Sequence, residues 1–284
     1  MKTKKGLLLI NLGTPDDPGY LSVFKYLRQF LMDPKVITVP YILRFILVSL
    51  IIVPFRAFSS GKIYKKIWTA NAYRNFNYLI ACPNSGEALA IDPLDYKKCI
   101  KIAKKNSWKI TQILNTHEHW DHIAGNDSLV KATSAKIIAH ENAKDKIPNM
   151  DIGVNHGDIV KIGKNIELEC LDTPGHTLSH ICLFSRTEEP VLFSGDALFN
   201  AGAGNCHFGG DPNELYKTFI QLEKLPLETR IYPGHDYLIS NLKFTLDREP
   251  HNKDAIEMLR KYKNDDPAEI ITSLKDCLLY TSDA

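Results

Sequence analysis

The stretch NTHEHWDHIAGN, Asn115–Asn126, places His117, Glu118, His119, Asp121 and His122 within six residues. No simple apolar face, helical or extended, uses imidazole and carboxylate at that density. The stretch follows ITQILNT, an apolar run that reads as a strand. A strand end that feeds a loop aims side chains from a rigid element, and binding and catalytic groups concentrate there. Whatever fold the chain adopts therefore has to set a ligand-rich loop on a strand end.

Three more ligand-type residues stand alone at the ends of strand-like runs: His176 in DTPGHT, Asp196 in LFSGDALF and His235 in YPGHDY. Each adjoins a glycine, which lets backbone and side chain approach a crowded centre. With His117, His119, Asp121 and His122 they make seven nitrogen or oxygen donors. Seven is too many for one tetrahedral zinc and suits two metal ions about 3.5–4 Å apart that share a carboxylate. No cysteine joins the set, which argues against a closed structural zinc site. Two divalent metal ions are thus expected, zinc first, with iron or manganese as alternatives, since imidazole and carboxylate suit each. His180, four residues after His176, is a candidate to orient a ligand from behind. Glu118 and Trp120 are expected to point outward or pack, Cys206 to be a packed thiol, and His140, His156 and His251 to be loop or surface histidines.

The chain changes character near Trp68: the residues before it are apolar and basic and hold none of the ten histidines. The early run Leu7–Ile10 is too short for a signal peptide and is broken by Asn11, Gly13 and Pro15. The run Tyr41–Phe55 is interrupted by Arg44 and Pro54 and falls short of the roughly 20 residues that span a bilayer. It reads as a buried or membrane-surface helix, so a peripheral membrane contact through 41–55 is expected. Acids and bases are interspersed at a net charge of +2, so nucleic acid is not an expected partner. The six cysteines have no CxxC spacing and read as free thiols in a reducing compartment, the cytoplasm. From Tyr78 onward short strands such as NYLIAC, EALAIDP and AKIIAH alternate in groups with helical text at Asp95–Asn106, Asp127–Thr133 and Pro212–Leu225, and again after Leu238. That order argues α/β or α+β.

HxHxDH, followed by the later His, Asp and His in their glycine-rich contexts, resembles the metallo-β-lactamase superfamily. The resemblance implies an αββα sandwich with the metals at one edge of its two sheets. It implies a first metal held by His117, His119 and His176, a second held by Asp121, His122 and His235, and Asp196 bridging. Within the superfamily, NYLI…GEALAIDP, ILNTHEHWDHIAGN, LDTPGHT, FSGDALFNAG and YPGHDYLISNLKF…EPHN resemble glyoxalase II, hydroxyacylglutathione hydrolase, over about residues 69–275. The implied activity is metal-dependent hydrolysis of S-2-hydroxyacylglutathione, of the S-lactoylglutathione type, to glutathione and a 2-hydroxy acid in methylglyoxal detoxification. Asp121 and Asp196 carry the catalytic roles in that reading, with Asp121 also orienting the water. Tyr237 matches a substrate tyrosine of the family. Where the family has Lys and Tyr to hold glutathione, this chain has Asn205 and His207, so weak glutathione binding is expected. Other chemistries of the fold, a single-iron persulfide dioxygenase or a lactonase, stand as alternatives.

Residues 4–68, with KKGLLLINLGTPDDP, VFKYLRQFLMDPKVI and KIYKKIW, resemble the N-terminus of ferrochelatase, which inserts iron into porphyrin. The catalytic His and Glu of that family lie beyond the resemblance, which leaves a non-catalytic porphyrin or membrane-surface binder as a further alternative. The expected organisation is a ferrochelatase-like fragment at 1–68, a hydrolase domain at 69–240, and the start of a helical substrate-binding region at 241–276. The ending 277–284, CLLYTSDA, resembles a translated sequencing adaptor and is expected to be an artefactual tail. The front fragment is expected to be a chimeric addition that replaces the first strand of the hydrolase, contributes nothing to catalysis and weakens the fold.

Overall fold

Short apolar runs after Ile63 form two six-stranded sheets. The computed structural model describes residues 28, 31–32, 38–52, 64–187 and 189–278, and the chain divides into two units, Met1–Ile63 and Tyr64–Ala284. The first sheet runs β1 (Tyr64–Trp68), β2 (Phe76–Ala81), β3 (Glu87–Ile91), β4 (Lys109–Leu114), β5 (Lys136–His140), β6 (Ile152–Val154) in spatial as in chain order. β1 to β3 are antiparallel and β3 to β6 parallel. Parallel neighbours need crossovers, and helices supply them. α1 (Tyr41–Ile46) belongs to the first unit; α2 (Tyr96–Lys105) joins β3 to β4, and α3 (Trp120–Ile123) with α4 (Asn126–Thr133) joins β4 to β5. α2 starts where the Asp95 carboxylate accepts the Lys98 N–H at 3.0 Å.

The second sheet has the order β12 (Thr272–Ser273), β11 (Arg230–Pro233), β10 (Val191–Gly195), β9 (Ile181–Ser185), β8 (Ile166–Asp172), β7 (Ile159–Ile162). α5 (Pro212–Leu222) crosses between the parallel strands β10 and β11. It is capped by Asp211, which accepts from the Asn213 and Glu214 N–H groups, with Pro212 in the first turn. α6 (Leu238–Arg248), α7 (Lys253–Tyr262) and α8 (Leu274–Leu278) follow. β2, β9 and β10 are buried along their whole length, as strands covered on both faces must be. On the outer face of the first sheet, Leu79, Ile113 and Ile137 pack with Cys99 and Ala103 of α2 and Leu129 of α4. On that of the second, Phe184, Leu192 and Ile231 pack with Leu222 of α5 and Leu274 of α8. Tyr78 joins the sheets, its ring 5.3 Å from Phe193 and 5.5 Å from Tyr232, its hydroxyl donating to the Pro233 carbonyl at 2.5 Å. The layers are therefore helix, sheet, sheet, helix.

The expected boundary between 68 and 69 differs from the structure. Tyr64–Trp68, the end of the ferrochelatase-like text, pairs with β2 through five antiparallel residue pairs and serves as the opening strand. Ile67 is buried, the Trp68 ring lies 5.3 Å from Phe76, and the Lys66 ammonium sits 3.8 Å over the Phe76 ring. Strand pairing asks only for free N–H and C=O groups and a period-two apolar face, which text from another family can provide. At the other end, Cys277, the first residue of the expected artefactual tail, is buried in the cluster that covers the second sheet, and residues 279–284 lie outside the described residues. In the first unit, α1 (Tyr41–Ile46) runs into a π-helical turn at Leu47–Ile52. Its buried Arg44 donates to the Met32 and Val39 carbonyls. Among the described residues no helix is long and apolar enough to cross a membrane. The text at 4–27 and 53–55 that carried the ferrochelatase and apolar-run readings lies outside the described residues.

Lys66 gives β1 a pH signature. Its amine donates to the Pro267 and Ile270 carbonyls, and burial pushes it from 10.5 down to about 7 against the pull of Asp236, Asp266 and Glu269. The folded lysine thus loses its proton near 7, whereas the unfolded one keeps it to 10.5. Between those values the unfolded chain binds more protons, so this residue makes stability rise with pH. Melting temperatures of the wild type and Lys66→Met should diverge in favour of the wild type from pH 7 to 9; a constant gap would mean that the amine is hydrated.

Candidate metal centre

The loops at one edge of the sandwich bring all seven sequence-expected donors together. Past the end of β4, Asn115 and Thr116 lead into the β4–α3 loop, which with α3 delivers His117, His119, Asp121 and His122. The β8–β9 loop brings His176, the end of β10 brings Asp196 and the end of β11 brings His235. His119 Nδ1 lies 3.1 Å from His117 Nε2 and 2.9 Å from His176 Nε2. Beside this triad, His122 Nε2 and His235 Nε2 are 3.1 Å apart, and Asp121 Oδ2 lies 3.7 and 3.4 Å from them. Asp196 stands between the two groups. Its Oδ1 is 3.6 Å from His122, and its Oδ2 is 3.4 Å from His176 and 3.2 Å from His235. Both triads, and His117, His122 and Asp196 across them, are close enough to share a cation. Gly204 and Gly234 permit this crowding: a Cβ on Gly204 would meet the Asp196 carbonyl at 2.1 Å, and one on Gly234 would meet Asp196 Oδ1 at 2.1 Å.

The outward nitrogens show what the inward ones carry. His235 Nδ1 faces the Tyr73 carbonyl at 2.6 Å, His176 Nδ1 the Asn205 carbonyl at 2.5 Å, and His119 Nε2 the Phe208 carbonyl at 3.0 Å. His122 Nδ1 faces the Asp92 carboxylate at 2.9 Å. His117 Nδ1 faces Thr116 Oγ1 at 3.0 Å, a hydroxyl that itself donates to Asp92. Each outward position is an acceptor, so each outward nitrogen carries hydrogen and each inward one is left to meet a cation, a metal ion or, on His122, a proton. Asp196 Oδ1 is buried without a hydrogen-bond partner, a cost that a cation would remove. The residues therefore fit two metal ions. Burial opposes the charged form of His122, but the carboxylates of Asp196, Asp92 and Asp121 outweigh it and raise the imidazole to about 9. Burial likewise raises the Asp196 carboxyl, but His235, His122 and His176 outweigh it and hold the group well below the usual carboxylate range. The centre is thus an electronegative hole that draws positive charge.

Several contributors carry no mark in the text. Asp92, at the end of β3 with φ +47°, accepts from the Thr116 N–H, the Thr116 hydroxyl and His122. The one available signal was a carboxylate closing the strand text EALAIDP. His180 is no ligand: its Nε2 accepts the Asp196 N–H at 3.1 Å, and its Nδ1 meets Thr173 Oγ1 at 2.8 Å. Burial, with His176, drives it down to about 3, so it stays neutral and fixes the backbone of Asp196. Glu118, expected to point outward or pack, instead accepts from Lys146, Ser179 and Thr177 at 2.6, 2.9 and 3.0 Å and ties the two histidine loops together. Tyr237 stacks on His235 at 5.0 Å and donates to the Tyr73 carbonyl at 3.2 Å. Asn205 and His207 are exposed, and the Asn205 side chain accepts the His207 N–H. Trp120 is 63% exposed, its ring 6.0 Å from Tyr73. His140 is buried beside Asp172 and caps a turn at Asn142, rather than lying on the surface.

Comparison with known proteins gives the same arrangement a lineage. The family model for the metallo-beta-lactamase superfamily matches residues 77–235, and that for ferrochelatase matches residues 4–72. The chain is 58% identical over 212 residues to a hydroxyacylglutathione hydrolase of Nitrosococcus oceani, covering 74% of this chain and 81% of that one. It is 60% identical over 216 residues to one of Polaromonas sp., covering 75% and 82%. Among solved structures, ETHE1 from Myxococcus xanthus superposes with a TM-score of 0.57 at 30% identity, over 62% of this chain and 76% of that one. TTHA1623 in a di-iron-bound form gives 0.51 at 25%, over 60% and 91%. With the sandwich and the ligand order already in place, these likenesses show that the chain belongs to the metallo-beta-lactamase superfamily and, within it, to the hydroxyacylglutathione hydrolase family.

Proposed function

We propose that this chain is a binuclear metal-dependent thioester hydrolase that converts S-2-hydroxyacylglutathione to glutathione and a 2-hydroxy acid, a step of methylglyoxal detoxification. The observation that carries the reading is the pair of donor triads with the Asp196 carboxylate between them. Relatives at 58% and 60% identity named hydroxyacylglutathione hydrolase support the substrate class. Zinc is the proposed metal, with iron or manganese able to replace it. When bound, two such ions supply an acidified water as nucleophile and a Lewis acid for the thioester carbonyl. The protein's own part is positional. Six residues beside Asp196 would hold the ions, and the Asp121 side chain, 18% exposed, is open enough to accept a hydrogen bond from the attacking water. Tyr237, half-buried on the His235 ring, flanks the same side as a contact for the substrate. A thiolate is a good leaving group, so no general acid is required at the sulfur. We place the activity in the cytoplasm because the six cysteines carry no CxxC spacing and read as thiols of a reducing compartment. A peripheral membrane contact is supported by Tyr41, Ile42 and Leu43, which stand exposed on α1.

The test is turnover of S-D-lactoylglutathione by protein carrying a counted number of metals. Hydrolysis at two metals per chain, abolished by a chelator and restored by zinc, iron or manganese, is the expected outcome. Activity only with a single iron, and on a persulfide, would replace the reading with the dioxygenase alternative. Glutathione affinity is a second check. Asn205 keeps its backbone contact with His176 whatever its side chain, so Asn205→Lys should add an ammonium without disturbing the centre. A charge-assisted contact is worth about 1.5 kcal/mol or more, so KM should fall roughly tenfold with kcat little changed. An unchanged KM would mean that the thiol part binds elsewhere.

A further inference from the structure

We propose that Asn75, locked by Asn71, is the positioning residue for Asp121, and that this asparagine pair sets the affinity of the second metal position. The inference rests on the two-metal reading of the site. Asp121 Oδ2 is the oxygen that faces His122 and His235. The same oxygen accepts from Asn75 Nδ2 at 3.0 Å, and that amide also reaches the Asp121 carbonyl at 3.3 Å. Asn75 is 1% exposed, so the contact is not shared with bulk water.

The amide is held from behind. Asn75 Oδ1 accepts from Asn71 Nδ2 at 2.9 Å, and the Asn75 N–H donates to Asn71 Oδ1 at 3.2 Å. The reciprocal pair fixes which end of the Asn75 amide faces Asp121. Around it the turn Thr69–Asn75 is fastened at several points. The Thr69 N–H and hydroxyl both donate to the Asn75 carbonyl. Arg74, at φ +59°, donates to the Asp236 carbonyl at 2.7 Å and pairs with the Asp236 carboxylate, while its own carbonyl accepts the Asp236 N–H. Lys98 Nζ donates to the Trp68 and Thr69 carbonyls.

This turn serves one metal position. Of the second triad it holds Asp121 through Asn75 and His235 through the Tyr73 carbonyl, while His122 is held by Asp92. The first triad is held by Thr116, Asn205 and Phe208 instead. Asp121 is the most exposed of the second set, its side chain 18% open against 1% for His122 and 5% for His235, so it needs the fastening most. An amide donor suits the task. It fixes the carboxylate rotamer without cancelling its charge, which an ammonium would do. The ferrochelatase match ends at residue 72, inside the turn, so it takes in Asn71 and not Asn75.

The test uses the full chain and zinc alone. Metal-free wild type, Asn75→Ala and Asn71→Ala are titrated with zinc against a chromophoric chelator. In Asn75→Ala the first equivalent should bind as in the wild type and the second roughly 10–100-fold more weakly. Asn71→Ala should weaken the same equivalent by less. With a thioester substrate at limiting zinc, kcat should fall, KM should hold, and excess zinc should restore kcat. Two sites of wild-type affinity in Asn75→Ala, or equal weakening of both, would overturn the proposal. Should Asn75→Ala not fold, Asn71→Ala decides alone, because it reaches Asp121 only through the Asn75 amide; two wild-type sites there overturn the proposal equally. The titration contains no substrate, so a chain that binds zinc as described but cleaves no thioester overturns the proposed activity and leaves this inference standing.

Discussion

Replacing Asp196 by asparagine is expected to lower kcat by roughly 10²–10³ or more and to reduce the bound metal below two per chain. Asp196 offers one oxygen toward His122 and the other toward His176 and His235, so its carboxylate would serve cations in both groups of donors. An asparagine keeps the shape but turns one of those oxygens into an N–H donor, which a cation repels. It also removes the negative charge that offsets two divalent ions in a buried centre, where such charge is worth far more than in water. The fold should survive, since His180 receives the backbone N–H of residue 196 and not its side chain. Metal analysis, kcat and a thermal melt in chelator check the three statements separately. An asparagine variant with two metals and wild-type turnover would show that Asp196 does not bridge.

Asp92→Ala is expected to weaken the second metal roughly 10–100-fold and to destabilise the protein by about 3–5 kcal/mol. The carboxylate is buried and accepts three hydrogen bonds, from the Thr116 N–H, the Thr116 hydroxyl and His122. Alanine leaves all three donors buried without acceptors, and each unmet donor costs about 1–3 kcal/mol. The losses belong to one network and do not add in full. Asp92→Asn separates the two effects. Asparagine tolerates the left-handed backbone at φ +47° and keeps one acceptor oxygen, so stability should fall less. It no longer presents a charge to His122, so the metal affinity should still drop. Chelator competition and melting curves on both variants read this out. Wild-type metal affinity in Asp92→Asn would mean that the carboxylate acts only as a structural acceptor.

The seven donors could be read from the text because their chemistry lies in the side chain and their spacing is local. His117, His119, Asp121 and His122 sit on one strand end and one turn of helix, and no other role accounts for them. The strands and the αββα layering followed from short apolar runs and from the resemblance that the motif carried. What could not be read was whatever depends on a partner far along the chain. Asn75 reaches Asp121 across 46 positions and Asp92 reaches His122 across 30; nothing near Asn75 marks it, and Asp92 shows only as a carboxylate closing a strand. Three of the five imidazoles are oriented by the carbonyls of Tyr73, Asn205 and Phe208, and every residue has a carbonyl, so no letter could point to these. Asn205 and His207 drew notice for their side chains, while the loop that holds them serves the centre through its backbone.

Tyr64–Trp68 shows the same division from the other side. The letters of that segment resemble ferrochelatase, and by themselves they promised a chimeric addition that weakens the fold. The residue types determined that the stretch could be a strand and which of its faces is apolar. Only the tertiary structure decided which sheet it enters, because a strand edge is made of N–H and C=O groups that pair with any suitable neighbour regardless of the family its side chains came from.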